Sequence, residues 1–268
     1  MNWIEALILG LVQGLTEFLP VSSSGHLIIG KDLLGVQVNP DAATTFEVLV
    51  HCATVLSTIF VFREEIWKLL LGFFKFQMND ETQYIVKICI SMIPVLIVGL
   101  FFEKEVKDIF GEGAVMLTGG MLFVTAILLS LTHFVKFQRR REMSYLDAFI
   151  IGISQAVAVI PGLSRSGATI STGLLLGNRK EDVARFSFLM VLIPILGETF
   201  LNIVGGDFSP MVSGIPMSAL IIGFLAAFIS GLFACKVMIA LVKRSKLVYF
   251  AGYCAVLGIV ALIWQLFV

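Results

Sequence analysis

Six long apolar stretches decide the fold class of this chain. A helix that crosses a lipid bilayer needs about 20 consecutive, mainly apolar residues. The stretches that approach or exceed this length are approximately 44–62, 84–102, 114–135, 186–204, 217–242 and 247–267. Because 58% of the 268 residues are hydrophobic and only 14% are charged, an ordinary soluble domain is excluded. The sequence predicts an all-α integral membrane protein with about six transmembrane helices.

Two further apolar stretches are shorter, and each runs into a cluster of Pro, Gly and Ser. Residues 3–19 precede the first cluster, and residues 145–160 precede the second. Irregular backbone at membrane depth is tolerated only where protein encloses it. Paired, interrupted segments of this kind are typical of re-entrant or broken helices that line a binding site. We therefore expect two re-entrant helical hairpins, built from 3–19, 20–25 and 27–30 and from 145–160, 161–167 and 168–176.

The two interrupted segments form an internal repeat. Shifted by 142 residues without a gap, residues 3–25 align with residues 145–167, and Arg165 takes the position of Ser23. The identical pairs are Ala6/Ala148, Ile8/Ile150, Gly10/Gly152, Gln13/Gln155, Ser22/Ser164, Ser24/Ser166 and Gly25/Gly167. Three predicted spans separate the copies, so the second copy is expected to be inverted. We assign residues 1–142 to the first repeat and 143–268 to the second, within one membrane domain.

Basic residues indicate the orientation in the membrane. Most Lys and Arg residues fall in the loops at 63–75, 136–142, 179–185 and 243–246. The positive-inside rule places these loops in the cytoplasm. The first hairpin then enters from the outside and the second from the cytoplasm, and their turns are expected to meet near the midplane. The net charge is formally zero and the basic clusters are short, so no nucleic-acid partner is expected.

Both turns contain ionisable side chains that are unfavourable in hydrocarbon. Each costs roughly 2.5–3.5 kcal/mol on insertion scales, yet the turns hold Glu17, His26 and Arg165. Ser and Thr hydroxyls beside the unpaired N–H groups of two opposed helix starts favour an anion site. An arginine fork fits phosphate oxygens two at a time. Ser23, with His26 three residues later, offers a nucleophile and a base for acyl or phosphoryl transfer.

Other polar residues in the apolar segments leave alternatives open. Glu17 lies four residues after Gln13, so the two share a helix face; Glu17 could orient the histidine, bind a divalent ion or relay a proton. Glu47 and Glu198 fall in predicted spans, and each lines the site or lies near an interface. The remaining histidines, His51 and His133, are interpreted as packing or interfacial residues.

Two long motifs resemble a known family. They are QGLTEFLPVSSSGH at 13–26 and PGLSRSGAT at 161–169, and TFEV at 45–48 also matches. On these motifs, and over essentially its whole length, the chain resembles the integral-membrane undecaprenyl-diphosphate phosphatases, also called bacitracin-resistance proteins. The resemblance implies hydrolysis of undecaprenyl diphosphate to undecaprenyl phosphate and inorganic phosphate, which recycles the lipid carrier of cell-wall synthesis and opposes bacitracin.

The resemblance also implies site residues and a cofactor. Ser23 would be the nucleophile with His26 as its partner, and a phosphoserine intermediate and direct attack by water both stay open. The expected catalytic residues are Ser23, His26, Glu17 and Arg165, and the expected substrate-binding residues are Gln13, Ser22, Ser24, Ser164, Ser166 and Thr169. Dependence on Mg²⁺ or Ca²⁺ is implied, with Glu17 as a ligand. Some members have Glu at the position of Gln13, so the number of carboxylates that a metal needs stays open.

The family further implies a multi-pass protein of the bacterial cytoplasmic membrane. Its partners would be a polyprenyl diphosphate lipid, which is the substrate, and the lipid bilayer in which that lipid resides. Its active site would open to the periplasmic or outer face. The oligomeric state stays open, with a homodimer as one alternative.

Two rival functions are weighed against this interpretation. Inverted repeats with broken helices are also the usual plan of secondary transporters and lipid flippases, but a transporter needs no nucleophile beside a base. A second superfamily of membrane lipid phosphatases uses a histidine nucleophile within an SRxxxxxHxxxD motif. Here the position six residues after Arg165 is Ser171, and no histidine follows, so that alternative lacks its nucleophile.

Overall fold

The computed structural model describes residues 1–36, 40–109, 114–134, 141–205, 214–243 and 247–267. These ranges are helical and contain no β-strand. The helices are α1 (Trp3–Thr16), α2 (Ser23–Leu33), α3 (Pro40–Val61), α4 (Arg63–Phe73), α5 (Asp80–Phe101), α6 (Glu103–Ile109), α7 (Ala114–Phe134), α8 (Tyr145–Val157), α9 (Arg165–Leu175), α10 (Lys180–Met190), α11 (Leu192–Gly205), α12 (Met217–Lys243) and α13 (Leu247–Phe267).

Six membrane spans are present in the described part of the chain, as the apolar stretches predict. They are Ala43–Val61, Asp80–Phe101, Ala114–Phe134, Lys180–Leu201, Met217–Val242 and Leu247–Phe267. Large apolar side chains on these helices, such as Leu100 and Phe233, are exposed on the isolated chain. Such a surface is stable against lipid tails rather than water. The chain is therefore a multi-pass helical membrane protein.

The fourth span begins earlier than predicted. It starts at Lys180 rather than near residue 186 and consists of α10 and α11. Charged residues in its first turns lower the local hydropathy, so the apolar stretch seen in the sequence begins later than the helix. One of them, Arg185, pairs with Glu65 of α4 and lies over the Tyr84 ring, with 5.0 Å from its guanidinium carbon to the ring centroid. A paired and stacked arginine is compatible with the end of a membrane helix.

Helices α4 and α6 fall in segments that the sequence left without secondary structure. In α4, Leu69 and Gly72 are buried, whereas Trp67 and Leu71 are exposed. Exposed apolar residues beside charged ones are typical of a helix at the membrane interface. The basic residues at 136–140 and 244–246, which helped to predict the orientation, lie outside the described residues.

The two short helices α1 and α8 begin with the same device at equivalent positions. Asn2 and Glu5 form a capping box at the start of α1, and Ser144 and Asp147 form one at the start of α8. In each box the first side chain accepts from the backbone of the second residue, whose carboxylate accepts in return from the first residue's N–H. The repeat found in the sequence is therefore a repeat of local structure.

Each short helix packs closely on a span of the other repeat. A Cβ placed on Gly10 of α1 would lie 2.4 Å from the carbonyl oxygen of Gly223 in α12, and one on Gly152 of α8 would lie 2.3 Å from that of Ser91 in α5. Only glycine permits such an approach between helix backbones. An internal two-fold relation predicts this arrangement, in which the short helix of each repeat packs on a span of the other. The inverted orientation of the second repeat stays a prediction.

Candidate active site

The turn between α1 and α2 contacts the turn between α8 and α9. The hydroxyl of Ser166 donates to the backbone carbonyl of Leu19 over 3.1 Å, and Arg165 forms an ion pair with Glu17. The meeting of the two turns that the repeat predicts is therefore observed. Their depth in the bilayer stays a prediction.

A serine caps the helix that follows each turn. Ser22 Oγ accepts from the N–H of Gly25 over 3.3 Å, and Ser164 Oγ accepts from the N–H of Gly167 over 3.1 Å. The capping bonds satisfy one of the free N–H groups at each helix start. Ser22 holds a left-handed backbone with φ 66° and ψ 93°, whereas Ser164 is extended with φ −67° and ψ 118°. The strained conformation occurs only in the turn that carries Ser23.

Glu17 is the centre of the site. Its Oε2 accepts a hydrogen bond from Ser23 Oγ over 2.6 Å and another from Gln13 Nε2 over 2.7 Å. Its Oε1 accepts from Arg165 Nη2. The carboxyl side chain is only 7% exposed, so these donors and the guanidinium charge replace its lost water. The Gln13 contact confirms the shared helix face predicted from the spacing.

The hydroxyl of Ser23 is oriented by this contact. A carboxylate can only accept, so the Ser23 proton points at Glu17 and the oxygen lone pairs stay free. Ser23 also lines the cavity described below. A hydroxyl that already donates to a carboxylate within 2.6 Å has the arrangement of an activated nucleophile.

A cavity of about 310 Å³ lies between the two turns and helices α3, α5 and α11. Its apolar wall comes largely from valine, isoleucine and proline side chains. The polar groups that line it are Glu17, Ser22, Ser23, Ser24, Thr44, Glu47, His51, Gln155, Ser164, Arg165 and Ser166. A mainly apolar pocket with a few convergent polar groups is the usual form of a ligand site.

Two of the expected substrate-binding residues do not line this cavity. Gln13 is fully buried and donates to Glu17. Thr169 is 1% exposed, donates to the carbonyl of Arg165 over 2.9 Å, and lies 2.6 Å from the Ser187 hydroxyl. Both side chains therefore support the site from behind, because Gln13 Nε2 already donates to Glu17 and the Thr169 hydroxyl already donates to the carbonyl of Arg165.

The pairing of Ser23 with His26 expected from the sequence is not present. Nδ1 of His26 lies 2.7 Å from the carbonyl oxygen of Ser22, and Nε2 lies 2.7 Å from the Tyr253 hydroxyl. The two rings are also stacked, with centroids 5.7 Å apart. One helical turn carries the His26 side chain away from Ser23 and towards α13. Among the described residues, Glu17 rather than His26 accepts the hydrogen bond from the Ser23 hydroxyl.

Helix α3 contributes two residues to the site: His51, which the sequence did not predict there, and Glu47, for which a position in the site was one of two alternatives. His51 Nε2 lies 3.6 Å from Glu17 Oε2, and its Nδ1 is 2.8 Å from the carbonyl of Glu47. Glu47 lines the cavity and pairs with Lys31. A signal was available, since Glu47, His51 and Thr54 recur at helical spacing on one face of an apolar span. His51, interpreted as a packing residue, thus lies in the site, whereas the Glu198 side chain is outside the described residues.

The side chains of the site do not form a metal cage. The described ranges contain no group of three or more His, Cys, Asp or Glu side chains placed to hold an ion. Both oxygens of Glu17 already accept from protein donors, one of which is the Arg165 cation. Mg²⁺ is often held by one or two carboxylates together with substrate phosphates. The residues present fit only that kind of shared site.

The fold and the site together define a multi-pass helical membrane protein with a carboxylate-bound serine and an arginine facing one cavity. The chain belongs to the Bacitracin resistance protein BacA family, whose model matches residues 6–260.

Similar proteins cover almost the full length of the chain. The undecaprenyl-diphosphatase of Bacteroides thetaiotaomicron is 55% identical over 270 residues, which cover 99% of this chain and all of that protein. That of Parabacteroides distasonis is 54% identical and covers 98% of each. That of Oceanobacillus iheyensis is 34% identical over 97% of this chain and 96% of that protein.

Proposed function

We propose that this protein is a membrane hydrolase that converts undecaprenyl diphosphate to undecaprenyl phosphate and inorganic phosphate. Relatives that share half or more of their residues with it, across nearly the full chain, are named undecaprenyl-diphosphatase. The structural observation that carries the proposal is the Ser23 hydroxyl, which donates to the buried Glu17 while Arg165 holds the other carboxylate oxygen. Phosphoryl transfer needs little beyond such a nucleophile and well-placed positive charge.

The first chemical step forms a bond from Ser23 Oγ to the terminal phosphorus. The proton of Ser23 moves to Glu17 Oε2, which already accepts it as a hydrogen bond. The bond between that phosphorus and the bridging oxygen breaks, and undecaprenyl phosphate leaves. Water then attacks the phosphoserine and the bond from phosphorus to Ser23 Oγ breaks. The proton on Glu17 returns to Ser23 Oγ, the water protons leave with the inorganic phosphate, and both side chains are restored.

Arg165 balances the charge of this reaction. In the structure its guanidinium pairs with Glu17 and lines the cavity. Its five donors and planar fork can bind phosphoryl oxygens while the pair with Glu17 is kept or exchanged. The starts of α2 and α9 add the positive ends of two helix dipoles. Charge on the transferred group is thereby stabilised from both repeats.

We assign the role of general base to Glu17 rather than to His26, the residue that the sequence favoured. Both ring nitrogens of His26 are engaged by Ser22 and Tyr253, so we assign His26 to holding α2 against α13. A secondary transporter or flippase is disfavoured, because binding and release of an anion need no serine poised on a buried carboxylate.

The proposed setting is the bacterial cytoplasmic membrane, where the reaction recycles the lipid carrier and confers resistance to bacitracin. A site that opens to the outer face belongs to the proposal, as the family resemblance implies. Dependence on Mg²⁺ or Ca²⁺ belongs to the proposal as an ion brought in with the diphosphate.

The test is phosphate release from undecaprenyl diphosphate by the purified protein in detergent, with and without a chelator. We expect release by wild type and none by Ser23→Ala. Wild-type protein that binds the lipid without releasing phosphate would overturn the proposal in favour of transport. Full activity of Ser23→Ala would instead assign the attack to water.

A further inference from the structure

Gln155 is a buried amide with no partner on the protein. Its side chain is 2% exposed, and among the described residues neither Oε1 nor Nε2 has a hydrogen-bond partner. Buried polar side chains are hydrogen-bonded in the large majority of cases. Gln155 lines the same cavity as Ser23 and Arg165. An unpartnered amide in the wall of that cavity is placed to bind a ligand.

The internal repeat explains why this amide is free. Gln13, the counterpart of Gln155, donates to Glu17 four residues later on the same helix face. The residue four positions after Gln155 is Val159, whose side chain has no acceptor. The Nε2 donor of the amide is therefore held by the protein in the first repeat and left free in the second.

We propose that Gln155 binds the substrate, with Nε2 donating to a phosphoryl oxygen of the diphosphate. The inference rests on the proposed function, because the phosphoryl group comes with that substrate. Phosphoryl oxygens are strong acceptors, and Arg165 and Ser164 line the same cavity. A neutral amide adds a donor without a further charge, so it does not compete with Arg165 for Glu17. The cavity thus receives from the second repeat a donor that Gln13, its counterpart in the first repeat, does not supply.

The principal test compares Gln155→Met with wild type. Methionine keeps the length of the side chain and removes both polar atoms, so the fold is expected to be as stable or more stable. The KM for undecaprenyl diphosphate should rise roughly five- to tenfold, the loss expected for one hydrogen bond to the ligand, with kcat changed less than twofold. Gln155→Glu has the same shape but carries a negative charge, and its KM should rise further.

Ser171→Ala is the matched control. The Ser171 hydroxyl is also buried without a partner in the described part of the chain, but it does not line the cavity. Its removal should leave KM and kcat unchanged. A KM within twofold of wild type for a folded Gln155→Met protein would overturn the proposal, as would equal effects of Gln155→Met and Ser171→Ala.

Binding measurements separate this inference from the proposed activity. Affinity for undecaprenyl diphosphate is measured in a Ser23→Ala background with and without Gln155→Met, and inorganic phosphate is tested in parallel. Weaker binding of both ligands assigns the bond to the released phosphate, and weaker binding of the lipid alone assigns it to the lipid-linked phosphate. Unchanged binding of both overturns the role of Gln155 even if wild type is active. Weakened binding upholds it even if wild type releases no phosphate.

Discussion

The two turns of the repeat share a scaffold and differ in what they carry. In both, a serine caps the following helix and a glycine accompanies it. The first turn holds Glu17 and Ser23, whereas the matching positions of the second hold Val159 and Arg165. Each half alone would bury an unpaired charge, and together they form the Glu17 and Arg165 pair. The shared positions build the frame, and the chemistry lies at the positions where the copies have diverged.

Among the variants that compare the two turns, the largest effect is expected where position 17 is made uncharged like its counterpart Val159. Glu17→Gln keeps the shape but removes the acceptor of the Ser23 proton. General-base catalysis typically contributes 10²- to 10⁴-fold, and we expect phosphate release to fall by about 10³-fold. Activity within tenfold of wild type, in a protein with an unchanged thermal transition, would show that Glu17 only supports the turn.

The next largest effect tests the charge of the second turn. Arg165→Lys keeps the charge but loses the fork that can serve Glu17 and a phosphoryl oxygen together. We expect kcat/KM for undecaprenyl diphosphate to fall roughly 10²-fold, the value of one or two charged hydrogen bonds. Near-normal kinetics would mean that Arg165 supplies only a general positive potential.

A smaller effect sharpens the similarity of the two halves. Gly10→Ala and Gly152→Ala each place a methyl group against a helix backbone of the opposite repeat. Overpacking of this kind costs about 1–3 kcal/mol, so both variants should show clearly lower thermal transitions in detergent, by similar amounts. Gly120→Ala is the control, because a Cβ there meets nothing within 4 Å. A lower thermal transition in only one of the variants Gly10→Ala and Gly152→Ala would contradict equivalent packing of α1 and α8.

The smallest effect concerns a contact that His26 of the first repeat makes and that its counterpart in the second repeat cannot make. His26 is held by Tyr253, whereas its counterpart in the second repeat is Ala168. Tyr253→Phe removes the hydroxyl and keeps the stacked ring, so stability should fall by about 0.5–1.5 kcal/mol and phosphate release by less than tenfold. A loss of phosphate release as large as that of Glu17→Gln would show that His26 takes part in catalysis.

Local patterns predicted the spans, the interrupted helices and the Gln13 and Glu17 contact. Hydropathy and helical spacing are properties of short segments, and the sequence states them directly. The partners of His26 and Arg165 were not predictable in the same way. Tyr253 lies 227 positions from His26, and Glu17 lies 148 positions from Arg165. Such contacts follow from how α13 and the second turn pack, which no local pattern specifies.

The repeat predicted that the turns meet but not which side chains would pair. The sequence linked Ser23 with His26 because they are three residues apart, whereas the start of α2 turns His26 towards α13. His51 was set aside as a packing residue because a single histidine in a span carries little information. Its position on one helix face with Glu47 becomes informative once both side chains are seen to line the cavity.

The exchange of helix partners between the repeats sets the order in which helices can pack while the chain is being synthesised. Helix α8 finds α5 already made, but α1 must wait for α12, which begins about 200 residues after α1 ends. At ribosomal elongation rates of 5–20 residues per second, the wait is roughly 10–40 s. Through that interval the glycine face of α1 has no backbone to rest on, and the insertion machinery or lipid must occupy it. A transcript that ends before the codon for Met217 therefore yields a first hairpin with no place to dock.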